Sequence, residues 1–244
     1  MTGPAFVDCH SHALPSGDDG AHDLDEALWL CRDAADHGTR VLFATPHVWP
    51  QLTLTEDRER AVRAAFDRVR PDARLELRLG FELTPHRDLL REDLGRYALD
   101  GTDCVLIEVP FTGSADLLFR ILERIAAQGF RAVIAHPERT EVVQEEPELL
   151  ESLVGPGRLL QVNASSLLGR HGEVALDLAW SLVESGRAAL VASDGHRPTR
   201  PARLDEVYAQ ALERVGEAAE PLFTGEALGL STRLPPSRAG LPAV

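Results

Sequence analysis

Residues 5–12 read Ala5-Phe6-Val7-Asp8-Cys9-His10-Ser11-His12. Ala5 to Cys9 has the composition of a buried strand, and it runs straight into two histidines. Two residues apart on an extended segment, His10 and His12 point to the same side. The same construction recurs down the chain. Val41 to Thr45 leads into Thr45-Pro46-His47, Leu75 to Glu82 ends at Glu82, and Cys104 to Val109 carries Glu108. Ala132 to Ala135 leads into His136, and Ala189 to Ser193 leads into Asp194 and His196. Leu159 to Asn163 is a further strand candidate. Most of these are continuous apolar runs rather than alternations, as parallel strands buried on both faces should be.

Helical stretches lie between them. Asp23 is placed to cap a helix, with Glu26 completing a capping box; Leu24, Ala27, Leu28, Cys31, Ala34 and Ala35 form its inner side, and Gly38 ends it. Ser114 starts a second helix that Gly129 ends, and a third runs from about Val174 to Ser185. Glu56 to Val69 and Leu204 to Val215 are further candidates. Strands alternating with helices predict a parallel α/β architecture, and 244 residues suit one α/β barrel. In such barrels the C-terminal strand ends form the active face, so these histidines and acids are expected to converge. No internal repeat or linker is evident. One domain over 1–233 is expected, followed by a Pro-rich, extended tail over 234–244.

Bulk properties narrow the function. The formal net charge of −14 and the lack of a basic run exclude a nucleic-acid partner. No apolar run is long enough to span a membrane, and the first residues do not read as a signal peptide. Three cysteines, Cys9, Cys31 and Cys104, form no disulfide framework, and a cytoplasmic location is the simpler expectation. A thiol phosphatase needs a phosphate loop ending in Arg six residues after its cysteine. Pro15, His37 and Pro110 stand at those positions, which excludes thiolate chemistry.

Five of the nine histidines follow predicted strands; His22, His37, His86 and His171 do not and are read as structural. Any one of these residues would be weak evidence of a site, and their conjunction is what points to a metal cluster. Mixed imidazole and carboxylate ligation suits Zn, Mn or Fe better than Ca or Mg. A carboxylate such as Glu82 bridging two cations would bring a shared water toward a neutral pKa and so supply a hydroxide nucleophile.

The strings VDCHSHALPSGDDG, ATPHV, GFEL, IEVP, AHPER, QVNASSLLGR and ASDGH follow one another over about residues 6–200. In that order they resemble PHP (polymerase and histidinol phosphatase) domains, most closely the bacterial PHP-type protein-tyrosine phosphatases of capsule and exopolysaccharide loci, the CpsB/YwqE-like group. The resemblance implies a distorted (β/α)7 TIM-like barrel holding three divalent metal ions, manganese first, with iron or zinc as alternatives. It implies one metal at His10, His12, Glu82 and Asp194, a second at Glu82, Glu108 and His136, and a third at Asp19, His47 and His196. Either Asp18 or Asp19 fills that last carboxylate position, with Asp19 preferred. Two departures stand out: Gly195 where relatives commonly have Ala, and Val48 where a second His or Tyr often follows Thr-Pro-His.

The implied activity is phosphate-ester hydrolysis by a metal-activated hydroxide. The implied substrate is a phosphotyrosine protein such as the C-terminal tail of a tyrosine kinase. Arg139, three residues after His136, is expected to bind the phosphate, with Arg170 and Arg200 as further candidates at the mouth. The proton for the leaving oxygen is assigned to water, Asp194 or His196 without a choice among them. The alternative substrate is a small phosphomonoester such as histidinol phosphate. A related amidohydrolase or nuclease would use similar ligands, but no basic groove serves a nuclease. A vestigial binding module would be expected to have lost ligands.

Overall fold

The computed structural model describes residues 4–230. The expected boundary between residues 233 and 234, and the Pro-rich tail beyond it, lie outside the described residues. In chain order the elements are β1 (Phe6–Ser11), α1 (Leu24–Asp36), β2 (Thr39–Ala44), β3 (His47–Val48), α2 (Glu56–Val69), β4 (Glu76–Leu79), β5 (Glu82–Leu83) and β6 (Cys104–Glu108). They continue with α3 (Asp116–Ala127), β7 (Arg131–Ala135), α4 (Glu141–Glu145), α5 (Leu149–Leu153), β8 (Arg158–Asn163), α6 (Ala164–Leu167) and α7 (Glu173–Glu184). The last are β9 (Ala188–Ala192), α8 (Asp205–Val215) and α9 (Glu220–Phe223). Every ladder between these strands is parallel, in the orders β1-β2-β4 and β3-β5-β6-β7-β8-β9.

Two of the expected strands are each split in two. Val41 to Thr45 continues past a break at Thr45-Pro46 into β3, because proline has no N–H to give to a ladder. The run from Leu75 to Glu82 breaks at Gly80-Phe81, where Asp100 N–H takes the Leu79 carbonyl at 2.8 Å. Backbone bonds carry the pairing across both breaks, from Gly80 N–H to Ala44 O at 3.0 Å and from Glu82 N–H to Pro46 O at 3.2 Å. Seven strand positions therefore remain. The first and last are neighbours: Asp194 N–H donates to His10 O at 2.9 Å and His12 N–H to Gly195 O at 2.7 Å.

Strand alternation sorts the core into two layers. Val7, Cys9, Val41, Phe43, Cys104, Leu106, Val133, Ala135, Leu190 and Ala192 pack together as an inner cluster. Leu42, Leu77, Leu79, Val105, Ile107, Ile134, Val162 and Val191 pack outward with the buried faces of the helices. Full burial of one such Leu or Ile stabilises by roughly 1.5–3 kcal/mol, so this two-sided burial supplies most of the drive to fold.

The helix ends follow their signals closely. Asp23 caps α1 by accepting from Glu26 N–H at 3.0 Å, while Glu26 Oε2 reaches one residue further back than expected, to His22 N–H at 2.9 Å. The buried face of α1 is Ala27, Leu30, Cys31 and Ala34. Leu24, Leu28 and Ala35 are only partly buried, so that stripe is rotated from the expected one. The second and third expected helices are α3 and α7, each starting or ending within two residues of the expected limits. Among the described residues no helix is long and apolar enough to cross a membrane.

Candidate metal centre

The inward alternation of each strand continues past its last apolar residue, and there the polar residues begin. On β6, Cys104 and Leu106 lead to Glu108; on β9, Leu190 and Ala192 lead to Asp194. His136 follows β7 with φ +33° and Asp194 has φ +53°. Non-glycine residues seldom adopt this left-handed region, and such strain collects at functional sites. The β3–β5 register sets His47 directly beside Glu82. β1 has a register irregularity between Asp8 and Ser11, where His10 lies.

Two glycines let the chain close over the site. A Cβ on Gly20 would lie 2.4 Å from the His12 carbonyl oxygen, so only glycine lets the loop carrying Asp19 fold back onto His12. A Cβ on Gly195 would lie 2.7 Å from Ala202 backbone atoms, so only glycine fits this close approach.

The convergence is tight. Glu82, fully buried, is its hub. Its Oε2 lies 3.2 Å from Nε2 of both His10 and His12 and 2.9 Å from His47 Nδ1, and its Oε1 lies 3.0 Å from His136 Nε2. Asp194 Oδ1 lies 3.6 Å from His10 Nε2 and 3.5 Å from His12 Nε2. Asp19 Oδ1 lies 3.6 Å from His47 Nε2 and 3.5 Å from His196 Nε2. Three sets have donor atoms mutually close enough for one ion each: His12, Asp19, His47 and His196; His10, Glu82 and His136; and His10, His12 and Asp194.

The outer ring nitrogens fix the tautomers. His10 Nδ1 meets Gln161 Oε1 at 2.9 Å, His196 Nδ1 meets the Asp194 carbonyl at 2.9 Å, and His12 Nδ1 faces Asp18 Oδ2 at 3.5 Å. These partners only accept, so the outer nitrogens carry the protons and the inner Nε2 atoms present lone pairs. The Nε2 atoms of His10 and His12 are 3.2 Å apart, and both face Glu82 Oε2, which is buried and accepts no hydrogen bond. Converging lone pairs and a buried carboxylate repel unless protons or cations stand among them. The donor set therefore fits divalent metal ions.

Electrostatics without a cation show the same demand. Burial disfavours the charged forms of His10 and His12, yet the surrounding acids, Glu82 and Asp194 among them, raise both pKa values. Glu82 and Asp194 fall well below the usual carboxylate range, against burial, with His10 the leading cause for each. Glu108 goes the other way, pushed up to about 8 by burial and then by the charge of Glu82. Protons hold the cluster where metals would otherwise compete for the same lone pairs.

Of the residues singled out in the sequence, His10, His12, Asp19, His47, Glu82, His136, Asp194 and His196 come together in these sets. Asp19 rather than Asp18 stands in a donor set, while Asp18 faces only the outer Nδ1 of His12. Asp18 lies behind, accepting from His47 N–H at 2.9 Å and from Gly20 N–H at 3.1 Å. Glu108 belongs to none of the three sets, and its carboxylate accepts from the Thr84 hydroxyl. Arg139 Nη1 donates to Asp194 Oδ2 at 2.5 Å, and Arg200 Nη2 bonds the same oxygen. Arg170 is exposed and pairs with Glu206 at 3.3 Å instead.

Four histidines were expected to be structural. His22 is exposed, His37 bonds Asp33 O at the end of α1, and His86 is buried with no partner for Nε2. His171 lies nearer the site than the other three. It meets Ser166 Oγ at 3.0 Å and is pushed down to about 4 by burial and then by the charges of Arg139 and Arg200, so it stands neutral beside the site. Sequence reasoning also passed over Gln161, Asn163, Trp49 and Phe111. The Trp49 ring lies 4.5 Å from that of His47. Phe111 is 44% exposed, with the Arg139 guanidinium 5.7 Å over its ring. An aromatic following each rim strand was the available signal for these two.

The chain is similar in sequence and fold to known proteins. The chain is 32% identical over 199 residues to tyrosine-protein phosphatase YwqE of Bacillus subtilis, covering 78% of this chain and 77% of that protein. It is 27% identical over 233 residues to tyrosine-protein phosphatase CpsB of Streptococcus agalactiae serotype V, covering 89% and 95%. A crystal structure from work on YwqE of B. subtilis and CpsB of Streptococcus pneumoniae, described as unique metal-dependent tyrosine phosphatases, superposes with TM-score 0.78 at 27% identity, over 91% of this chain and 94% of that one. Dihydropyrimidinase from Brevibacillus agri shares the fold alone, at TM-score 0.62 and 11% identity, over 92% of this chain and 70% of that one. A family model described as capsular polysaccharide synthesis, CpsB/CapC, matches residues 6–227, and the chain belongs to that family.

Proposed function

We propose that this chain is a metal-dependent protein-tyrosine phosphatase that holds three divalent cations, manganese first, and acts in the cytoplasm on a tyrosine kinase of capsule or exopolysaccharide synthesis. The observation that carries the reading is the set of inward imidazole lone pairs around the buried carboxylate of Glu82. His10, His12 and Asp194 with Glu82, then Glu82 and His136, then Asp19, His47 and His196 are the residues that would hold the ions. Glu108 would join the second group by turning from Thr84. When bound, such ions supply charge neutralisation at phosphoryl oxygens and bring a coordinated water toward a neutral pKa.

The chain's own residues do the rest. Arg139 and Arg200 meet at Asp194 Oδ2 and present two guanidinium groups to a phosphate at the same rim. Phe111 beneath Arg139 and Trp49 against His47 flank the centre with aromatic surface, which favours an aryl ester over a small alkyl phosphate. Asp194 Oδ2 is saturated by its donors and His196 Nδ1 by a backbone carbonyl. Water at the rim is the proton source that this arrangement favours for the leaving oxygen.

The test is a kinetic panel with a phosphotyrosine peptide, a phosphoserine peptide and histidinol phosphate. Hydrolysis of the phosphotyrosine peptide should vanish on chelation, return with manganese and exceed the others in kcat/KM. A preference for histidinol phosphate would move the reading to a small-molecule phosphomonoesterase. Phosphotyrosine hydrolysis that survives full metal removal would end it.

A further inference from the structure

Strand β8 stands apart. Each of the other strand positions around the rim delivers an imidazole or a carboxylate at or just past its C-terminal end or its break, whereas β8 delivers Gln161 and Asn163. Both are fully buried, and two apart on a strand they face the same way. An uncharged amide in such a place must satisfy both ends, and here each end has a partner.

Gln161 Nε2 donates to the Val162 carbonyl at 2.9 Å. That bond fixes which end of the amide faces the site. Oε1 is left toward His10 Nδ1 at 2.9 Å, where it requires a proton on that nitrogen. The Nε2 lone pair of His10 is thereby committed toward Glu82, His12 and Asp194. Asn163 is fixed in the same manner. Its Oδ1 accepts from Ser165 N–H at 2.8 Å as the cap of α6, so Nδ2 faces Asp194 and donates to Oδ2 at 2.8 Å. Asp194 Oδ1 is then the oxygen left to face His10 and His12. Arg139 and Arg200 hold the same Oδ2, but an arginine that turns to a substrate phosphate leaves it. Asn163, set in the strand end, stays.

We propose that Gln161 and Asn163 are a positioning pair, holding the His10 tautomer and the Asp194 carboxylate in the orientation a divalent cation needs. The proposal rests on the metal-centre reading above and concerns residues outside the ligand set. Partners of this kind usually set metal affinity by about 10–100-fold.

The readout is manganese binding, measured by calorimetric titration of the metal-stripped chain alongside its thermal unfolding midpoint. Gln161→Leu should weaken manganese binding by at least about tenfold. Gln161→Glu still accepts the His10 Nδ1 proton but cannot donate to the Val162 carbonyl, so it should lose less affinity than Gln161→Leu. Asn163→Asp keeps the cap of α6 but removes the N–H given to Asp194 Oδ2, so Asp194 loses its fixed orientation and manganese binding should weaken. If Gln161→Leu unfolds, Gln161→Met replaces it at similar volume. Wild-type affinity in Gln161→Leu (or Met) and Asn163→Asp would overturn the proposal. So would equal losses in Gln161→Leu and Gln161→Glu, since the acceptor facing His10 Nδ1 would then carry none of the effect. A wild-type chain that binds no manganese, iron or zinc would instead sink the metal-centre reading itself.

Discussion

Glu82→Gln is expected to remove phosphatase activity and to weaken metal binding by more than about 100-fold, beyond the range of outer-sphere partners. The exchange is nearly isosteric, so packing around this buried side chain is kept. What is lost is charge. Four imidazole nitrogens, from His10, His12, His47 and His136, lie within 3.2 Å of the two Glu82 oxygens. An amide brings an N–H₂ donor and half the acceptor capacity to the same place. It would hold divalent cations poorly, and its N–H₂ would compete with them for the imidazole lone pairs. Inductively coupled plasma mass spectrometry together with phosphotyrosine peptide kinetics checks this. Wild-type metal content with wild-type kcat would remove Glu82 from the centre.

Arg139→Ala and Arg200→Ala make the opposite pattern. Metal content should stay, while kcat/KM for a phosphotyrosine peptide should fall by about 100- to 1000-fold, the usual range for loss of one oxyanion-stabilising donor. Both guanidinium groups converge on Asp194 Oδ2, and each has several N–H donors beyond that bond to offer. Arg139→Lys should restore only part, because a point charge does not replace a planar fork. Arg170→Ala should leave the rate close to wild type, since Arg170 is exposed and paired with Glu206. A full rate in both Arg139→Ala and Arg200→Ala would take these residues out of phosphate binding.

The parallel architecture was legible because buried strands and capped helices leave strong local marks. Asp23 and Gly38 bound α1 as their residue types require, and continuous apolar runs such as Cys104–Ile107 have few other uses. The candidate ligands were legible because parallel strands in this fold all point their C-terminal ends to one rim. The places where the reading stopped short have physical causes. The breaks at Thr45-Pro46 and Gly80-Phe81 depend on a missing N–H and on the backbone of Asp100, which local composition does not display. The choice between Asp18 and Asp19 depends on a loop that folds back at Gly20. Glu108 followed the strand-end rule, yet its carboxylate turns to Thr84, one residue past β5. Gln161 and Asn163 were passed over because amides carry no charge to draw attention. Their significance comes from who receives each end, and that is a three-dimensional fact. His171 was set aside because it follows no strand; the two-helix connection after β8 brings it back to the arginines.

Metal-dependent hydrolysis at this rim requires that cations fill the space among these inward lone pairs. Anomalous diffraction from crystals grown with manganese tests it most directly. Peaks are predicted within coordination distance of Glu82, among His10, His12 and Asp194, beside His136, and among Asp19, His47 and His196. A map with manganese bound only elsewhere, or with no peak at Glu82 in a well-ordered crystal, would contradict it.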